Sequence, residues 1–245
     1  MELKENERID DLELNGLKII QNKNGFCFGM DSVLLSDFAK EIKKNSAILD
    51  MGTGTGILAI LLSAKTQSTK ITGVEIQPEV ADMARRSVQL NQLEERINIV
   101  CKDVKKLKEI YEAGSFDAIV TNPPYKKKGT GEINENEAKL ISRHEITANL
   151  EDFILIASYL LKDQGSIYMV HRPERLADIM VNLRKYKLEP KNIRFVHPNQ
   201  EKGPNLILIK ATKNAKPFLK VEKPIYIYDL QGNYTSNILK IYNKF

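Results

Sequence analysis

No stretch of the 245-residue sequence is apolar for anything near the ~20 residues that a membrane-spanning helix needs, so a bilayer-embedded chain is not expected. Cysteine is scarce. Cys27 and Cys101 stand far apart and lack the paired spacing of a zinc site or a disulfide framework, so both are read as reduced thiols without chemistry. The three histidines, His144, His171 and His197, show no metal-ligand spacing either, and no metal is expected. Each is read as a packed or capping side chain. Met1 to Asp11 is acidic and polar and lacks the apolar core of a secretion signal, so the expectation is a cytoplasmic chain. Internal repeats and low-complexity tracts are also missing, which argues against a repeat architecture.

What is present suits a globular protein. Hydrophobic residues make up 42% and charged residues 28%, and the length fits one large α/β domain better than two domains of about 150 residues. The formal net charge of +5 suits a polyanionic partner without singling one out. From about Ser46 short apolar runs alternate with amphipathic stretches, the pattern of βα units in a parallel sheet. Strands are predicted over Ala47–Asp50, Lys70–Glu75, Arg96–Cys101, Phe116–Thr121, Ser166–His171, Ile193–Val196 and Leu206–Ala211. Helical spacing predicts Gly56–Lys65, Pro78–Asn91, Leu150–Leu161 and Pro173–Tyr186, with both prolines in first turns and Gly165 marking the exit from the third helix. Only the turn-rich 197–205 separates the last two strands, which should pair as an antiparallel hairpin at the sheet edge. The polar stretch 126–149 is long enough to suggest a functional loop.

The first chemical signal is Asp50-Met51-Gly52-Thr53-Gly54-Thr55-Gly56, between the strand that ends at Asp50 and the helix that follows. A tight turn approached by a ligand needs glycine, although a plain strand-to-helix turn would use the same residues. Glu75 weighs against the plain turn. It ends the next strand about 20 residues on, where a carboxylate accepts bonds from ribose hydroxyls. The combination resembles the class I S-adenosylmethionine methyltransferases. That resemblance implies a Rossmann-like, mostly parallel seven-stranded sheet, with Asp50, Gly52, Gly54 and Gly56 along the amino acid part of the cofactor. It also implies Glu75 on the ribose and Asp103 on the adenine amino group, although a lone aspartate there also suits a helix cap.

The second signal is Asn122-Pro123-Pro124-Tyr125, directly after the strand Phe116–Thr121. An exocyclic amine is a poor nucleophile because its lone pair is delocalised into the ring. Acceptors aimed at its hydrogens help, and the Asn122 side-chain oxygen with the Pro123 carbonyl, stiffened by two prolines, can supply them. Tyr125 can stack on a flat base. The tetrad resembles that of amino-group methyltransferases acting on adenine N6, guanine N2 or glutamine N5, so it selects a reaction type and not a substrate. Gly25-Phe26-Cys27-Phe28-Gly29-Met30-Asp31-Ser32 lies where the adenine enzymes carry an aromatic segment, which implies Phe28 beside the cofactor.

Almost the whole chain resembles the bacterial tRNA(Val) adenosine N6-methyltransferases. The likeness runs through Asn122–Lys127, Arg143-His144-Glu145, Val170–Leu176, Glu189-Pro190-Lys191 and Val196-His197-Pro198. It implies tRNA as partner, S-adenosylmethionine as cofactor, and the adenosine beside the anticodon as target. Lys126, Lys127, Lys128, Arg143 and Arg172 would meet RNA phosphates. Protein-glutamine N5- or rRNA guanine N2-methylation, or a catalytically idle RNA-binding module, stay open as alternatives. The expected organisation is a segment 1–45 packing on the cofactor site, a methyltransferase domain 46–213 and a tail 214–245.

Overall fold

The structure is a computed structural model that describes residues 3–24, 29–123 and 148–244. Strands β3 (Ala47–Met51), β4 (Lys70–Glu75), β5 (Ile97–Cys101), β6 (Phe116–Thr121) and β7 (Leu161–His171) pair in parallel in the order β7-β6-β3-β4-β5. The antiparallel β9 (Leu206–Lys213) joins β7 to β8 (Leu188–His197). Helices α2 (Ile57–Lys65), α3 (Pro78–Leu90), α4 (Leu150–Leu160) and α5 (Leu176–Lys185) fill the crossovers. This is the expected α/β architecture, and all seven expected strands are present.

Strand alternation divides the core in two. Ile48, Ala118 and Val120 point to one hydrophobic cluster, built on α2 and α3, while Leu49, Met51 and Ile119 point to another, built on α4 and α5. On α3 the buried Ala81, Ala84 and Val88 recur at helical spacing and face the sheet. Helix α2 is buried nearly throughout, from Ile57 to Ser63, and each of its leucines and isoleucines contributes roughly 1.5–3 kcal/mol by leaving water.

Several sequence expectations need correction. The β8–β9 pair is not at the sheet edge, because β10 (Lys220–Val221) and β11 (Ile225–Tyr226) both pair in parallel with β8. Among the described residues they bring the sheet to nine strands. Gly165 does not end a helix. It lies inside β7, where a Cβ would stand 2.9 Å from the Lys162 carbonyl oxygen and 3.0 Å from that of Asp117, beside a register shift against β6. Close backbone approach explains that glycine. Pro173 opens a 3-10 turn, Pro173–Arg175, and the α-helix begins only at Leu176.

The described residues before 46 form three unforeseen elements: a hairpin of β1 (Glu7–Asp11) and β2 (Lys18–Asn22), and helix α1 (Met30–Phe38). The hairpin lies along α3. The Ile20 amide donates to the Ser87 hydroxyl at 2.9 Å, and the Lys18 amide to Asn91 Oδ1 at 2.9 Å. Arg86 forks onto Glu7 at 2.7 and 2.5 Å, and its guanidinium holds the Glu7 carboxyl below the usual range. Helix α6 (Ser236–Ile241), from beyond residue 213, closes the same side through Ile238 and Ile241.

Candidate active site

The carboxyl ends of β3, β4 and β6 lie side by side, with Met51 opposite both Val74 and Thr121. The crossover from β3 leads to β4 on one side and the connection from β5 returns to β6 on the other, and open α/β sheets bind ligands at such a switch point. The chain turns back after β3, as Gly52 and Thr53 both donate to the Val74 carbonyl, at 3.0 and 2.9 Å. This turn places Gly52, Gly54 and Gly56 in the left-handed region, at φ +78°, +57° and +92°. Their surroundings differ. A Cβ on Gly52 would lie 3.7 Å from the Phe153 ring and one on Gly56 would lie 3.4 Å from the Ala84 Cβ, whereas one on Gly54 would meet nothing within 4 Å.

Asp50, at the end of β3, is fully buried. Its Oδ2 accepts from the Thr53 hydroxyl at 2.5 Å, while Oδ1 has no hydrogen-bond partner. Burial pushes the carboxyl up to about 7 against the pull of the Thr53 hydroxyl and the Ala59 backbone amide, and the nearby charge of Glu75 adds to the rise. Glu75 is buried as well. Its Oε2 accepts from the Gly54 amide at 3.2 Å and its Oε1 from the Gln77 amide at 2.9 Å, so its position is tied to the glycine turn and to the entry of α3.

Asn122 follows β6, anchored from behind by Thr121, whose buried hydroxyl donates to the Met51 carbonyl at 2.9 Å. The Asn122 amide nitrogen donates to Asp31 Oδ2 at 2.8 Å. Asp31 stands in the first turn of α1, where its Oδ1 accepts from the Ser32 amide at 2.9 Å. Pro123 is buried directly after Asn122.

Asp103 occupies the loop after β5, and its Oδ1 accepts from the Lys105 amide at 2.9 Å, capping the 3-10 turn Val104–Glu109. The capping role is thus present at this site. Arg172 leaves β7 with its guanidinium donating to the Asn205 carbonyl at 3.2 Å. His171, fully buried at the end of β7, is pushed down to about 4 by burial first and by Arg175 next, and its Nδ1 accepts from the Arg172 amide at 2.8 Å. Phe28, Tyr125, Lys126, Lys127, Lys128, Arg143 and His144 lie outside the described residues.

The structure therefore gathers Asp50, the three glycines, Glu75 and Asn122 at one end of the sheet, and adds Thr53, Phe153 and Asp31. Sequence reading gave these three no role. For Asp31 the available signal was an acidic residue opening the apolar run Val33-Leu34-Leu35. Among the described residues no three His, Cys, Asp or Glu side chains cluster as metal ligands, and no helix is long and apolar enough to cross a membrane.

Comparison with known proteins agrees with this arrangement. A profile of the methyltransferase small domain family matches residues 23–186. A protein of Porphyromonas gingivalis named tRNA1(Val) (adenine(37)-N6)-methyltransferase is 32% identical over 185 residues, 74% of this chain and 72% of that one. A Haemophilus influenzae protein of the same name is 28% identical over 93% of this chain and 94% of its own length. A crystal structure of a predicted O-methyltransferase from Agrobacterium tumefaciens superimposes with a TM-score of 0.71 at 22% identity, covering 88% of this chain and 96% of that one, which shows the shared fold. The chain belongs to the methyltransferase small domain family, in the company of relatives named as tRNA1(Val) adenine-N6-methyltransferases.

Proposed function

We propose that the protein transfers a methyl group from S-adenosylmethionine to N6 of an adenosine in tRNA, the adenosine beside the anticodon of tRNA(Val). The names of relatives matched over most of their length support this substrate. The observation that carries the reaction type is the position of Asn122 just past the carboxyl end of β6, next to that of β3, with its amide nitrogen already committed to Asp31.

The residues present fit the cofactor. The partnerless Asp50 Oδ1 is an orphaned buried acceptor, and the space beside Gly54 is open where a side chain would otherwise stand. In this reading Asp50, Gly52, Gly54 and Gly56 hold the amino acid portion, Phe28 borders it, Glu75 accepts from the ribose and Asp103 from the adenine amino group. Bound there, S-adenosylmethionine supplies a methyl on a cationic sulfur, open to in-line displacement by nitrogen.

The chain's own residues then act on the target amine. Asn122 Oδ1 and the Pro123 carbonyl accept its two hydrogens and favour a pyramidal nitrogen whose lone pair faces the methyl. Tyr125 stacks on the base, and Lys126, Lys127, Lys128, Arg143 and Arg172 meet phosphates. No strong base is needed, because the proton leaves after the nitrogen has become cationic. Such an enzyme meets tRNA in the cytoplasm. Residues 46–213 form the catalytic domain, 1–45 the segment beside the cofactor site and 214–245 the tail.

The test incubates the protein and labelled methyl donor with total tRNA and separately with release factors, followed by nucleoside mass spectrometry. N6-methyladenosine in tRNA(Val) is the expected product. Label on release factors with none on tRNA would overturn the reading.

A further inference from the structure

We infer that Asp31 is a positioning residue that sets which face of the Asn122 amide meets the substrate; this rests on the amino-methyltransferase reading above. A carboxylate only accepts hydrogen bonds, so the atom of Asn122 that faces Asp31 at 2.8 Å must be the nitrogen. The amide oxygen is thereby turned the other way. A primary amide free to rotate by 180° would offer an NH2 group to the incoming amine in part of the population, donor against donor. Asp31 removes that choice.

The carboxylate is itself fixed. Its Oδ1 accepts from the Ser32 amide at 2.9 Å, at the positive end of α1, whose next residues Val33, Leu34 and Leu35 are locked in the core. Gly29 makes room for this arrangement, since a Cβ there would stand 2.9 Å from Asp31 Oδ1. A negative acceptor on the nitrogen also polarises the amide and strengthens its oxygen as an acceptor. The pair joins residues 91 positions apart, so the segment before the glycine turn acts on the target half of the site as well as bordering the cofactor half.

Two arms test the inference. In the RNA-free protein, the Asn122 side-chain amide signals are assigned by their loss in Asn122→Ala and compared between parent and Asp31→Ala. A proton bonded to the carboxylate resonates downfield and exchanges slowly, and both signatures should disappear in the variant. In the kinetic arm, Asp31→Ala should lower kcat on saturating tRNA roughly tenfold to a hundredfold, the range for losing a group that orients a reacting ligand. Affinity for S-adenosylhomocysteine, KM for tRNA and Tm should stay near those of the parent. The isosteric Asp31→Asn, whose carbonyl can still accept from Asn122, should recover much of the loss, and it stands in if the alanine variant does not fold. Adding Asp31→Ala to Asn122→Ala should cost little more. An Asn122 signal indifferent to Asp31, or losses that add in full, would overturn the inference. A parent that does not methylate tRNA would instead remove the substrate reading, and the signal in RNA-free protein would still decide whether Asp31 orients the amide.

Discussion

Lys65, at the end of α2, donates to the backbone carbonyl of Ile241, at the end of α6, with Asp37 of α1 3.6 Å from the same ammonium. The side chain is only 9% exposed, and burial holds its pKa below the ordinary lysine value against the pull of Asp37. One cation thus ties together three helices that are distant in sequence.

Replacing Lys65 by alanine should therefore cost about 1–3 kcal/mol, because the buried Ile241 carbonyl loses its donor and Asp37 is left, among the described residues, with Lys40 alone. Urea unfolding reads this directly. Lys40→Ala is the control: its ammonium, 3.3 Å from Asp37, sits on a side chain that is 55% exposed, and its loss should cost well under about 1 kcal/mol. Equal losses in the two variants would contradict the clasp.

Asp50 and His171 should give opposite pH dependences. The Asp50 carboxyl, raised from 3.8 to about 7, keeps its proton longer in the folded state; its contribution is full below pH 3.8 and is lost as pH rises through 7. His171, lowered from 6.5 to about 4, contributes fully above pH 6.5 and loses stability as pH falls through 4. Each slope is at most about 1.4 kcal/mol per pH unit. Relative to the parent, Asp50→Asn should gain stability from pH 4.5 to pH 7, and His171→Gln should gain as pH falls over the same range. Urea midpoints at four pH values measure both, and profiles parallel to the parent's would refute the assignments.

The glycine turn separates a folding role from a binding role. Alanine at Gly54 meets no neighbour within 4 Å, so it should cost about 1–2 kcal/mol for its left-handed backbone alone. Gly56→Ala adds a 3.4 Å approach to Ala84 and should cost more. Gly16→Ala, also left-handed and also open, is the reference for backbone cost. Calorimetric titration with S-adenosylhomocysteine should show roughly tenfold or greater loss for Gly54→Ala, about 1.4 kcal/mol or more, and none for Gly16→Ala. Unchanged affinity in Gly54→Ala would move the cofactor elsewhere.

Replacing Lys126, Lys127 and Lys128 together by alanine should weaken tRNA binding while sparing cofactor affinity. Three charges neutralise up to about three phosphates, each worth roughly 0.7–0.9 in the slope of log affinity against log salt. Filter binding at several salt concentrations should show a lower intercept and a shallower line, with the methylated nucleotide unchanged. Superimposable lines would exclude these lysines from the RNA surface.

The sheet was legible because its strands are short apolar runs, and because Asp50, Gly52, Gly54, Gly56 and Glu75 mark the turn after β3 and the end of β4. The first 45 residues were not. Strands β1 and β2 carry charged and apolar residues without clean alternation, as in Glu7-Arg8-Ile9-Asp10-Asp11, and they form because Arg86 and Ser87 of α3 receive them. Asp31 escaped for the same reason, since its partner is fixed only when the fold brings β6 beside α1. Gly165 misled because a glycine after an apolar helical run suits a cap, and only the approach of the Lys162 and Asp117 carbonyls shows why it is needed.

The stubs β10 and β11 bear on solubility. An uncovered β8 would present a row of unpaired amides and carbonyls, a template on which strands of other molecules could assemble into aggregates. The two stubs occupy Asn192-Ile193 and Val196-His197, and the segment Glu222-Lys223-Pro224 between them adds charge and a residue with no amide hydrogen. Each stub is two residues long, too short to recruit a further strand in turn. The tail thus ends the growth of the sheet on this side, protecting the molecule from its own kind at the high concentrations of a cell.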